Sequence, residues 1–373
     1  MNILLKKLLK STKCFILKDK ELKNVKAVIL AGGEGCRLRP LTNHCPKPMV
    51  PILNKPVMEY SIELLKRHGI KDIIMTVHYL SSSIRAYFGD GSKWGVTITY
   101  SEDGMPLGTA GSVKLAEQLL TESFLVISGD ILTDFDLRAG IQHHEDQLAA
   151  ATIFTKPLDL PIEYGVLLST DKTMKKMFEK PNWSDLTQHS INTGIYILDP
   201  KIFSYLEDFT HYDFSKDVFP AILKHNEKIS IFEAEGYWSD IGTLATYREA
   251  QFDMLNHKVN LPSKGKEIAK GIWMEDGVTI HDDVTLKGPI YISKNTIIHE
   301  GATVGPETVL SESAIIHEKS EITHSILWEN SYVGKSCSLG GMIGHCQIQD
   351  HSALADINEE TVNAWREYTK RDS

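Results

Sequence analysis

Two hydrophobic periods divide the chain. From Val25 to about Leu255, short apolar runs alternate with segments of helical spacing, and most runs end in Gly, Ser or Asp. The runs predict strands at Lys26–Leu30, Asp72–Val77, Val96–Tyr100, Phe124–Ile127 and Val166–Leu168, with helices at Val57–Arg67, Ser81–Phe88 and Ala110–Leu120. Such alternation implies an α/β domain (residues 25–256) on a doubly wound, mostly parallel mixed sheet of Rossmann-like type. In that architecture ligands lie beyond the carboxyl ends of the strands.

After a lysine-rich span with Pro262 and Gly265 (residues 257–270), read as a linker, the period becomes six. Ile280, Leu286, Ile292, Ile298, Val304, Leu310, Ile316, Ile322 and Trp328 recur at that interval, and apolar or small residues from Val278 to Ile326 stand two positions before each. The repeat resembles the hexapeptide left-handed parallel β-helix, in which three hexads make one coil and the recurring residue fills the prism. The second domain is therefore expected over residues 271–352, with a tail at 353–373. His281, His299 and His317 fall one coil apart and should stack at one corner. A solvated corner is the plain reading of that ladder; a metal site or an acyltransferase base is the alternative.

Composition narrows the class. The chain has 373 residues, enough for two domains, and its formal charge of -9 disfavours a general nucleic-acid binder. Five scattered cysteines without CxxC spacing indicate neither a disulfide framework nor a zinc site, which fits a reducing cytoplasm. Residues 1–24 carry seven lysines against Asp19 and Glu21, and lack the apolar length of a signal peptide or a membrane span. They read as a basic extension, with a surface-binding helix or a partner contact as the alternative.

Chemistry concentrates where the first apolar run ends. Leu30-Ala31-Gly32-Gly33-Glu34-Gly35 offers backbone N–H groups to a phosphate chain, and Arg37, Arg39 and Lys47 follow within reach of the same phosphates. The loop is not a Walker P-loop, since no GK[ST] follows, and it lacks the third glycine of a dinucleotide fingerprint. Asp130 ends another apolar run in Ser128-Gly129-Asp130, and a second carboxylate stands in Trp238-Ser239-Asp240-Ile241-Gly242-Thr243.

The run GGEGCRLRPLT followed by Pro46-Lys47-Pro48 resembles the sugar-phosphate nucleotidylyltransferases, whose pattern is GGxGTRLxPLT and PKP. Cys36 replaces the usual Thr. The resemblance covers residues 25–250 and extends to PLGTAG, the GD motif, FxEKP, NxGxY and WxDIGT. It implies that Pro106, Gly108, Thr109 and Gly111 lie against the nucleobase, and that Asp130 and Asp240 share one Mg²⁺. It further implies that Gly165, Glu179 and Asn192 meet the sugar while Lys180 binds its phosphate. The expected substrates are a nucleoside triphosphate and a hexose 1-phosphate, with Arg37, Lys47, Asp130 and Asp240 as the catalytic set.

The arrangement most resembles the mannose-1-phosphate guanylyltransferases; glucose-1-phosphate uridylyl- or thymidylyltransferases are the alternative within the class. Outside it, the rival is a non-catalytic subunit that senses NDP-sugar, which would tolerate loss of the four catalytic positions. All four are present. The β-helix is expected to build a homo-oligomer while remaining dispensable for the reaction.

Overall fold

The computed structural model describes residues 25–158, 164–179 and 190–350. The basic extension, Lys180 and the 353–373 tail lie outside the described residues. Nine strands form the main sheet: β1 (Ala27–Ala31), β2 (Asp72–Val77), β3 (Thr97–Glu102), β4 (Phe124–Ser128), β5 (Ala151–Pro157), β6 (Gly165–Thr170), β7 (Thr173–Glu179), β8 (Ser190–Leu198) and β9 (Ile229–Glu233), in spatial order β3-β2-β1-β4-β8-β5-β9-β7-β6. The first four in that order are parallel, while β8 runs antiparallel to β4 and β5. The N-terminal half of the sheet is thus doubly wound as expected, and the C-terminal half is mixed.

Both faces are covered, which explains the continuous apolar run of β1. Ala27, Ile29 and Ala31 enter one core with Met58, Ile62 and Phe135, and Val28 enters the other with Val113, Val126 and Phe219. Successive side chains of a strand point to opposite faces, so a strand covered on both sides needs apolar residues at every position. The predicted helix at Ala110–Leu120 is shorter in the fold: Gly108–Lys114, then a separate turn at Glu117–Leu119.

Residues 266–350 form three stacked sheets of six, five and four described strands, the three sides of a prism consistent with the left-handed β-helix. Ile292, Ile298, Val304, Leu310, Ile316 and Ile322 fill it as predicted. Within the connecting span Val259 is buried, and Lys266–Ala269 pairs antiparallel with Ile272–Met274. One expectation for this region needs correction: Trp328 is not the ninth interior residue. Ile290 pairs with Thr308, eighteen positions on, but Val309 pairs with Ile326, only seventeen on. One residue is missing from that coil, so Leu327 takes the interior place and Ile326 and Trp328 face outward.

The outward residues are not solvated. Tyr291, Val309, Ile326 and Trp328 share a third core with Leu41, Ile52, Tyr247 and Leu255 of the α/β domain. Asn54 Nδ2 also donates to Ser293 Oγ across the seam (2.6 Å). A chain cut near His257 would uncover Leu41, Tyr247 and Leu255, so the repeat domain covers apolar surface of its neighbour. One side of the prism is already used within the chain, leaving the other two for any further subunit. The histidine ladder forms as predicted, with ring centroids 5.0 Å apart for His281–His299 and 4.7 Å for His299–His317.

Candidate active site

The strand ends gather the charged residues. Ile131–Thr133, just past β4, pairs antiparallel with Trp238–Asp240, placing Asp240 opposite Ile131 and beside Asp130. The Ile241 amide donates to the Asp130 carbonyl at 3.0 Å and locks this approach. Lys47 reaches both carboxylates: its ammonium donates to Asp130 Oδ2 and to Asp240 Oδ1, the latter at 3.3 Å. Ser128 Oγ donates to the other Asp130 oxygen.

Glycines make this proximity possible. Gly35 has φ +68, and a Cβ there would come within 2.9 Å of Lys47 Cβ, so only glycine lets the loop close on the lysine stem. Gly242 leaves room between Asp240 Oδ2 and the Arg37 guanidinium, which a Cβ would meet at 2.8 and 3.1 Å. Gly129 sits under the loop, its amide donating to the Leu30 carbonyl at 2.9 Å. Gly32 would bring a Cβ to 3.4 Å from His78, whereas at Gly33 a Cβ would meet nothing within 4 Å. The packing does not demand a glycine at Gly33, and the space beside it is open.

The electrostatics follow from the crowding. Burial works against the Lys47 ammonium, but Asp130 and Asp240 outweigh it and raise its pKa. Burial likewise opposes the charge on Asp130, yet Lys47 and Ser128 hold its pKa below the ordinary carboxylate value. Asp240 moves the other way, raised by burial and then by the Asp130 carboxylate. Two carboxylates thus share one ammonium, and the Arg37 guanidinium is the second cation beside Asp240. Magnesium needs few protein carboxylates when phosphate and water complete its shell, so this pair suits it. Among the described residues no group of three His, Cys, Asp or Glu side chains is disposed to hold a metal on its own.

Gly165, Glu179 and Asn192 also converge. Gly165 pairs with Glu179 across β6 and β7, and a Cβ on Gly165 would lie 3.0 Å from Glu179 Oε2 and 3.5 Å from Asn192. Asn192 opens a bulge in β8, with Gly194 at φ +74 and its amide bonded to Asn192 Oδ1 (3.0 Å). The bulge lays Gly194 against Ser128 and Ile131, next to Asp130. Trp238, which sequence reasoning used only as a motif letter, donates its indole N–H to the Thr193 carbonyl (2.9 Å) and stacks edge-on with Tyr164 (5.4 Å).

The PLGTAG segment holds a different surprise. The spaces beside Gly108 and Gly111 face the carbonyls of Tyr212 and Thr210, each 2.5 Å from where a Cβ would be. Ala110 and Gly111 amides donate to the Tyr212 carbonyl, and Thr109 Oγ1 donates to Asp213 Oδ2 at 3.0 Å. These glycines admit a neighbouring chain segment, and the Thr109 hydroxyl is engaged by that segment. Pro106 stays exposed on the rim. Asp213 was not anticipated, because its partner Thr109 is far away in sequence. Cys36 is exposed, but its thiol donates to Glu34 Oε2 at 3.5 Å, so an anion as well as Arg37 stands beside it.

The family model for nucleotidyl transferase matches residues 26–257, the span that carries the glycine loop, the lysine and the two aspartates. The chain belongs to that family. Over 289 residues it is 36% identical to a UTP–glucose-1-phosphate uridylyltransferase from Synechocystis, covering 73% of this chain and 74% of the relative. It is 37% identical over 227 residues to a mannose-1-phosphate guanyltransferase from Yarrowia lipolytica, covering 58% of this chain and 61% of the relative. A crystal structure of a candidate glucose-1-phosphate thymidylyltransferase from Bacillus anthracis, in complex with a sucrose, superposes with a TM-score of 0.57 at 26% identity. That match covers 61% of this chain and 94% of the other. Among the described residues no helix is long and apolar enough to cross a membrane.

Proposed function

We propose that this protein transfers a nucleoside monophosphate from a nucleoside triphosphate to a sugar 1-phosphate, releasing pyrophosphate. The observation that carries the reading is the Lys47 ammonium seated between Asp130 and Asp240 at the mouth of the glycine loop. A phosphate oxygen of the sugar 1-phosphate attacks the α-phosphorus, and the bond from that phosphorus to the bridging β-oxygen breaks. The attacking phosphate has a second pKa of about 6, so it needs no base near neutral pH. The chain's task is to orient and to neutralise charge: Gly33 and its neighbours approach the phosphates, Arg37 and Lys47 face the anionic chain, and Glu179 and Asn192 hold the sugar. Asp130 and Asp240 would hold Mg²⁺, which supplies Lewis-acid neutralisation of the triphosphate.

For the particular substrates we favour GTP and mannose 1-phosphate, on the motif order and the guanyltransferase relatives. UTP and glucose 1-phosphate is the second reading, favoured by the Synechocystis match, which extends well past the catalytic domain in length. A pyrophosphate-release screen of four nucleoside triphosphates against mannose, glucose and N-acetylglucosamine 1-phosphates, with MgCl₂, tests both. Release dependent on GTP and mannose 1-phosphate supports the first; no release with any pair would overturn the enzymatic reading in favour of a sensor.

A further inference from the structure

The β-helix reaches the catalytic residues through one buried chain of hydrogen bonds. Trp328 Nε1 donates to Tyr247 Oη at 2.9 Å, and that hydroxyl donates to the Pro51 carbonyl at 2.8 Å. Gln251 Nε2 donates to the same carbonyl at 2.7 Å, and its Oε1 accepts from the Leu53 amide at 2.9 Å. Tyr247, Gln251 and Trp328 are 0%, 1% and 6% exposed, so water does not replace these partners.

Each end of this chain is short of the reacting site. Pro51 follows the Lys47–Met49 turn, where Pro46, Pro48 and Pro51 fix three of the six backbone φ angles from 46 to 51. Whatever holds the Pro51 carbonyl therefore holds Lys47. Tyr247 and Gln251 lie on helix Leu244–Leu255, which begins directly after Asp240-Ile241-Gly242 with a Thr243–Thr246 capping box. The Tyr247 hydroxyl thus joins the lysine segment to the aspartate segment, and Trp328 sets where that hydroxyl points. Trp328 faces outward only because the coil is one residue short.

We infer that Trp328 is a positioning residue for nucleotidyl transfer: its indole N–H, acting through Tyr247 and Pro51, fixes Lys47 relative to Asp240. This rests on the function proposed above for those two residues. Trp328→Phe keeps an aromatic ring against the third core and removes the donor together with the five-membered part of the indole. With the best substrate pair from the pyrophosphate screen, the full-length variant should lose about fivefold in kcat, the scale of one buried hydrogen bond, while KM for the sugar 1-phosphate stays within twofold. Tyr247→Phe, which removes the shared hydroxyl, should lose at least as much. The double variant should fall no further than Tyr247→Phe alone, because the indole acts only through that hydroxyl.

A kcat for Trp328→Phe within twofold of wild type, or losses that multiply in the double variant, would overturn the positioning role and leave Trp328 a packing residue. Lys47→Met and Asp240→Asn, run alongside, separate the two failures. If they abolish transfer and Trp328→Phe does not, only the positioning role falls; if they too leave transfer intact, the reading of the site falls with it.

Discussion

Replacing Lys47 with methionine keeps the length of the side chain and deletes the only ammonium shared by Asp130 and Asp240. At the 3.3 Å separation from Asp240, the gross attraction is about 5 kcal/mol for an effective dielectric near 20. Hydration and relaxation return part of it, and breaking a buried pair by removing one partner costs about 3 kcal/mol or somewhat more. Protonation limits the damage. Without the ammonium both carboxyls rise, Asp240 from a position already raised by burial and by Asp130. A carboxyl whose folded pKa exceeds its unfolded value contributes stability below the unfolded value and loses it as pH rises through the folded one. The deficit of Lys47→Met should therefore be small at pH 5 and grow toward pH 8. A divalent cation that enters between the carboxylates no longer competes with an ammonium, so about 3 kcal/mol translates to roughly a hundredfold gain in Mg²⁺ affinity. Thermal unfolding of both proteins across pH 5–8, with and without MgCl₂ and no nucleotide, reads all three effects. Equal unfolding midpoints at pH 8, and an equal Mg²⁺ shift in the two proteins, would refute the shared-cation account.

Asp130→Asn and Asp240→Asn should each lower kcat by at least about a hundredfold, the scale of losing a principal electrostatic group, as measured by pyrophosphate release at limiting Mg²⁺. Asp213 accepts from Thr109 of the PLGTAG segment and from the Ser215 amide, and the Ser215 hydroxyl accepts from Asn192 Nδ2 at 3.3 Å. Asp213→Ala should accordingly raise both substrate KM values about fivefold, as for loss of a helix cap; values within twofold of wild type would sever that link. His299 has its pKa lowered by burial and then by His317 and His281, with Glu318 and Lys335 also facing it. A depressed folded pKa means stability that is present above the unfolded value and lost as pH falls, so the chain should weaken between pH 7.5 and pH 5. His299→Gln should flatten that slope in urea titrations, and an unchanged slope would place the acid sensitivity elsewhere.

The motifs were legible because their spacing is local. The glycine loop, the GD turn and the hexad phase each lie within a few consecutive residues, and backbone conformation there follows from glycine and apolar periodicity. The pairing of Asp130 with Asp240 could be read only through resemblance, since it depends on one antiparallel contact between Ile131–Thr133 and Trp238–Asp240. The docking of residues 210–214 on PLGTAG had no signal of its own: Gly108 and Gly111 advertise a close approach without saying of what. Lys180 and its phosphate role lie outside the described residues, so that assignment still rests on the FxEKP motif.

Trp328 shows why counting a period can mislead at its end. Up to Ile322 every interval is six, and a large apolar residue at the next position satisfies the pattern. A prism interior, however, selects for volume as well as polarity. An indole carries an N–H that an all-apolar core cannot satisfy, at a cost of about 1–3 kcal/mol for an unpaired buried donor. Leu327 has no such group, and shifting the register by one residue puts it inside while turning the indole toward the buried Tyr247 hydroxyl, which accepts from it. The polar atom of the tryptophan thus argues for the slip on physical grounds. The same atom makes the repeat domain part of the scaffold that holds the lysine and the aspartate, where a strictly regular prism would have offered the catalytic domain only an apolar wall.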